Sequence, residues 1–212
     1  MDDKEFFTEE GCKTINNPIN KNKKQVLLIG DSIRVGYCDY VKEQLKDLAD
    51  VYYPPENCRN TQYIITSLRS WLGLCDPEKI DVIHFNAGQW DVAHWSGIGD
   101  SLTPLQDYGK NIEKIIKIMH LLFPNAKIIF ALTTPMNSNA SSLINPRTTK
   151  EIILYNEKAK AVCKENGIEV NDLFSLCENW GADMYKDYAH FVDKGYQSIA
   201  KQVSSIIKKY FW

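Results

Sequence analysis

Two short stretches of the chain hold the residue types that acyl transfer needs. The first is Gly30-Asp31-Ser32-Ile33, directly after an apolar run. A serine at the carboxyl end of a buried strand exposes its hydroxyl at the rim of a sheet. Its backbone N–H points into the same space, so one residue can supply a nucleophile and an oxyanion donor. A helix N-cap serine would look the same, and the stretch is not the G-x-S-x-G elbow of α/β-hydrolases. The second stretch is Asp187-Tyr188-Ala189-His190, just before the last helical period. A hydroxyl becomes a nucleophile near neutral pH only beside a base, and imidazole, with a free pKa of about 6.5, suits that task. The imidazole in turn needs a group that fixes its tautomer. A carboxylate three residues upstream can reach Nδ1 and leave Nε2 facing the serine. The same spacing recurs at Asp81–His84 and Asp91–His94, but only His190 directly precedes the last helical period. Each stretch alone is weak, because a loop histidine capping the last helix explains the second equally well. The pair is much stronger, provided the fold joins them.

The hydropathy pattern supplies elements that could do so. Gln25 to Gly30 is a continuous apolar run ending in glycine, as expected of a parallel strand buried on both faces. Similar runs recur at Asp81 to Phe85, Ala126 to Leu132 and Ile168 to Val170, with a weaker one at Val51 to Tyr53. Helical stripes lie between them. They run through Val41, Leu45 and Leu48; through Ile64, Leu68 and Trp71; from Tyr108 to Leu122; and through Tyr155, Ala159 and Cys163, with Gly167 as a C-cap. A last stripe joins Ile199, Val203, Ile207 and Tyr210. The alternation predicts an α/β fold, a five-stranded parallel sheet between two helix layers. Residues 1–24 are polar and read as an N-terminal arm, leaving 25–212 as one domain. Two long polar segments, roughly Gln89 to Pro104 and Thr133 to Arg147, leave the carboxyl ends of strands, where open α/β sheets build their sites.

Composition narrows the function classes. The 212 residues carry 25 Lys+Arg against 27 Asp+Glu, a formal charge of −2, so no strongly cationic surface organises the molecule. Nucleic acid and anionic membrane are therefore not expected partners. No apolar run approaches the length of a membrane span. The first residues have neither a basic nor an apolar region of the kind a signal peptide carries, so a cytoplasmic location is the expectation. Six cysteines form no C-x-x-C pair and read mostly as small buried hydrophobes. With no nucleotide loop and no acidic cluster, neither a cofactor nor a metal is expected.

The Gly-Asp-Ser block near the start and the Asp-x-x-His block near the end resemble the SGNH, or GDSL-type, hydrolase family, over nearly the whole chain after residue 24. That resemblance implies a flavodoxin-like three-layer sandwich and an esterase, lipase or carbohydrate deacetylase. It makes Ser32 the nucleophile, His190 the base and Asp187 its orienting carboxylate. The middle blocks depart from the family pattern. Arg59, in Glu56-Asn57-Cys58-Arg59-Asn60-Thr61, stands where the family has a glycine whose N–H serves the oxyanion hole. An N–H survives that exchange, but a positive φ would not be free. Trp90, in Gly88-Gln89-Trp90-Asp91, stands where the family has asparagine. Asn86 is the expected replacement donor and Gln89 the second candidate; local backbone satisfaction is the plainer reading of Asn86. Asp31, Gln89 and Trp90 are further candidate substrate contacts. The aromatic Trp90 and Trp95, with His94, suit a sugar ring or else pack their loop onto the body. The expectation is a serine esterase acting on an O-acyl, chiefly O-acetyl, ester of a small molecule or oligosaccharide. An acyltransferase with the same triad and a non-catalytic carbohydrate-binding protein on this scaffold are the alternatives, and a flavin-binding or signalling domain ranks last.

Overall fold

A computed structural model of the chain describes residues 22–96, 99–140 and 144–212. The expected N-terminal arm lies almost wholly outside the described residues. Five parallel strands form one sheet: β1 (Lys24–Ile29), β2 (Ala49–Tyr52), β3 (Val82–Asn86), β4 (Lys127–Ala131) and β5 (Glu169–Asn171). Their order is β2-β1-β3-β4-β5. This is the doubly wound order, in which the connections from β1 and β3 leave in opposite directions and open a crevice between the two strand ends.

The strands are apolar on both sides because each face meets a helix layer. Along β1, Leu27 and Ile29 join Ile83, Phe85 and Phe130 in one core. Val26 and Leu28 join Val82 and Ile129 in the other. The two-residue alternation of a strand thus divides one run between two cores. The first core is closed by α2 (Thr61–Ser67), α3 (Leu105–Leu122) and α4 (Thr149–Glu165). The second is closed by α1 (Ser32–Leu45), the short α5 (Leu173–Cys177) and α6 (Asp193–Lys208).

The differences from the sequence reading are local. Leu48 and Tyr210 lie beyond the ends of α1 and α6. The stripe ending at Trp71 spans two elements, α2 and a 3-10 turn at Ser70–Leu74. The five-residue α5 is too short to show a period, so hydropathy did not reveal it. Gly167 follows α4 at φ 65°, the conformation expected of a helix-terminating glycine. Cys38, Cys58, Cys163 and Cys177 are buried free thiols. Among the described residues, no helix is long and apolar enough to cross a membrane.

Candidate active site

The site begins where β1 ends. Asp31 caps α1, its Oδ1 accepting the Ile33 N–H at 2.9 Å, and Ser32 is the first residue of the helix rather than its cap. A first-turn N–H has no acceptor inside its own helix, so Ser32 presents both its hydroxyl and its N–H at a helix N-terminus. Asp31 is fully buried, which corrects its expected role as a substrate contact. Burial raises its pKa, against the Ile33 N–H, the Asn86 amide and the charges of Arg147 and His190, which lower it. Asn86 closes β3 across the crevice and is buried against Gly30. A Cβ on Gly30 would fall 2.0 Å from Asn86 Oδ1, so glycine there is what lets the amide lie beside the Asp31–Ser32 turn.

The Asp187–His190 loop arrives from the far end of the chain. His190 Nε2 lies 2.8 Å from Ser32 Oγ, and His190 Nδ1 lies 2.8 Å from Asp187 Oδ2. A carboxylate only accepts, so Nδ1 carries the proton and Nε2 is left to accept from the serine. Asp187 Oδ1 accepts the N–H groups of Ala189 and His190, both at 2.8 Å. Partial burial pushes the Asp187 carboxyl up, but those two N–H groups and the imidazole outweigh it, and its pKa falls below the ordinary value. The loop is clasped from outside by Asn137, whose N–H and Nδ2 donate to the carbonyls of Tyr188 and Asp187.

The β2–α2 loop is stapled to the same corner. The buried Arg34 donates to the carbonyls of Pro54 and Glu56, and the Cys58 N–H donates to the Gly30 carbonyl at 3.0 Å. Asp91 is buried and accepts the Thr61 N–H and hydroxyl, the latter at 2.6 Å. Between these anchors Arg59 takes φ 51°, the left-handed conformation that favours glycine. Its N–H donates to Asn57 Oδ1 at 2.8 Å, and its guanidinium lies over the Tyr63 ring. The N–H expected in an oxyanion hole therefore already has an acceptor within its own turn.

The two long loops complete the rim by gripping each other. The N–H groups of His94 and Ser96 donate to the carbonyls of Pro146 and Ile144, both at 2.8 Å. His94 Nε2 donates to Glu151 Oε1 at 2.6 Å, on the first turn of α4. Trp90 and Trp95 pack on each other with ring centroids 5.6 Å apart. Gln89 is 1% exposed, with Nε2 donating to the Thr134 carbonyl and Oε1 accepting from Arg147 Nε. It therefore holds a neighbour instead of facing a substrate, a correction to its expected role. In front of Ser32 and His190 lies an open depression of about 620 Å³, bordered by Gly36, Lys186 and Tyr196.

Residues 28–198 match the GDSL-like Lipase/Acylhydrolase family. The chain belongs to that family. Its relatives include GDSL esterase/lipase WDL1 of Oryza sativa subsp. japonica, 26% identical over 78% of this chain and 70% of the rice protein. GDSL esterase/lipase CPRD49 of Arabidopsis thaliana is 26% identical over 62% of this chain, which spans only 55% of that relative. An acetyl xylan esterase, AlAXEase, superposes with a TM-score of 0.70 at 17% identity, covering 86% of this chain and 99% of that one. The lipase/acylhydrolase from Enterococcus faecalis superposes with a TM-score of 0.69 at 18% identity, covering 88% and 96%. At these identities the two structures establish the fold alone.

This GDSL-family chain also places residues at the site that sequence reading did not single out. Arg34, Asn137 and Arg147 hold the loops or face the crevice. Arg34 did offer a signal, since it falls on the buried face of a helix beside Cys38 and Val41. Asn137 and Arg147 offered none, because irregular loops carry no period. Among the described residues, no cluster of His, Cys, Asp or Glu is arranged to hold a metal ion.

Proposed function

We propose that this GDSL-family chain is a serine esterase that works through an acyl-enzyme. Ser32 Oγ attacks the ester carbonyl while His190 Nε2 takes its proton, and Asp187 stabilises the resulting imidazolium. The Ser32 N–H and the Asn86 amide are the proposed donors to the oxyanion. His190 then protonates the leaving alcohol, and water, activated by the same imidazole, releases the acid. The observation that carries this reading is the unbroken path from Ser32 Oγ through the imidazole to Asp187, with both contacts at 2.8 Å. An intact triad speaks against the non-catalytic alternative.

The proposed substrate class is an O-acetyl ester on a carbohydrate. The fold likeness to an acetyl xylan esterase supports it. So does the open shape of the depression before Ser32, which leaves room for a bulky alcohol beside a short acyl group. Ser32→Ala should lower turnover of an aryl acetate by roughly four to six orders of magnitude, with the far-UV spectrum and melting temperature retained. A fluorophosphonate should label the native protein and spare the variant. Turnover unchanged by the substitution would refute the assignment.

A further inference from the structure

Arg147 stands beside the triad in an unusual setting. It is half-buried, and its Nε donates to Gln89 Oε1 at 2.9 Å. Gln89 cannot turn away, because its Nε2 is committed to the Thr134 carbonyl at 2.8 Å. The guanidinium carbon lies 5.3 Å from the centre of the Tyr188 ring, which fixes one face. Nη1 makes only a long bond, 3.4 Å, to the Asn145 carbonyl. The partners are an amide, a carbonyl and a phenol ring; among the described residues no carboxylate reaches ion-pairing distance.

A guanidinium drawn out of water without a contact ion pair costs free energy, so it is a poor stability device. What the clamp achieves is orientation. With Nε and one face taken, and Nη1 held only by the long bond to Asn145 and by Tyr188 beside it, the Nη edge is the most weakly committed part of the group, and that edge matches a carboxylate with two parallel hydrogen bonds. Its position ties it to the reaction. Tyr188 lies within the Asp187–His190 loop, with its ring edge-on to His190 at 6.3 Å. Burial works against the Arg147 charge, while the charges of Asp31 and Asp187 favour it.

We infer that Arg147 is a specificity-determining residue that receives a substrate carboxylate, so the preferred ester is an O-acyl group on an acidic, uronate-type sugar. The inference rests on the esterase reading above. The test compares O-acetylated glucuronic acid with O-acetylated glucuronamide, which differ only in the charge of one group. A charge-assisted bidentate contact should favour the acid by roughly tenfold or more in kcat/KM, mainly through KM. Arg147→Gln should bring the ratio close to one, and Arg147→Lys should keep part of it.

A binding arm uses Ser32→Ala protein and titration calorimetry with the same two sugars, with and without Arg147→Gln. It reads the discrimination without turnover, and it decides the matter if neither sugar is hydrolysed. An acid-to-amide ratio near one in the native protein, or a ratio unmoved by Arg147→Gln, would overturn the inference. So would an equal loss on both sugars, which would make Arg147 a structural or oxyanion-stabilising group. Activity surviving in Ser32→Ala would overturn the esterase reading instead, and the two failures are therefore separate.

Discussion

The smallest decisive unit is the hydrogen-bonded path Ser32–His190–Asp187. Asp187 does two things there. One oxygen sets the proton on Nδ1, and the other ties down the backbone of its own loop. Asp187→Asn keeps the shape but can donate to Nδ1, which favours the tautomer with its proton on Nε2, facing the serine. A loss in kcat of about 10⁴ is expected, with KM nearly unchanged. Steady-state kinetics on an aryl acetate would measure it, and a loss below tenfold would count against the role. Because the folded pKa of Asp187 is depressed, its carboxylate stays charged below the ordinary carboxylate range. Protonation of this carboxyl should therefore not set the acid limb of activity.

At the scale of elements, loops position the site and one of them carries strain. The β2–α2 loop is held at both ends, by Arg34 and by Asp91, so Arg59 must bridge a fixed gap. It does so at φ 51°, where a Cβ costs about 1 kcal/mol. Arg59→Ala and Arg59→Gly both lose the guanidinium over Tyr63, yet only alanine keeps the Cβ. The glycine variant should be the more stable of the two by about 1 kcal/mol in urea unfolding. Equal stabilities would mean that the loop relaxes. The two long loops are braced differently, by hydrogen bonds between 94–96 and 144–146 and by the grip of His94 on Glu151. That bracing brings Arg147 and Gln89 to the rim together.

Across the whole molecule, the sheet buries a histidine at its centre. His84 on β3 is fully buried. Gln202 Nε2 donates to Asn171 Oδ1, which leaves Asn171 Nδ2 to donate to His84 Nε2 at 3.0 Å. The ring proton then sits on Nδ1, facing the Tyr37 hydroxyl at 3.3 Å. Burial pushes the His84 pKa down to about 3. An unfolded chain takes up that proton near pH 6.5, so the stability from His84 is present above 6.5 and lost as pH falls toward 3. Asp91 has the opposite sign. Burial lifts its pKa to about 6, and its contribution is lost as pH rises through that value. Comparing His84→Gln with the native protein isolates the histidine. The variant should lose less stability between pH 6.5 and 4.5, by on the order of 2 kcal/mol. Parallel curves would mean that His84 is protonated within the fold.

Sequence alone determined the strand and helix alternation and the likeness to the GDSL family, and it singled out the residues proposed here as a triad. Those features are written locally: a buried parallel strand is a short apolar run, and Gly-Asp-Ser and Asp-x-x-His are contiguous words. It also flagged the conformational cost at Arg59, because a residue standing where glycine is usual carries its Cβ in any fold. Tertiary structure decided everything that depends on which groups meet across the crevice. Asp31 became a buried helix cap and Gln89 a strut. The Arg59 N–H turned to Asn57, while Asn137 and Arg147 came to the rim from a loop with no period. A hydrogen bond is short-ranged and directional, so its partners exist only once distant segments have been placed.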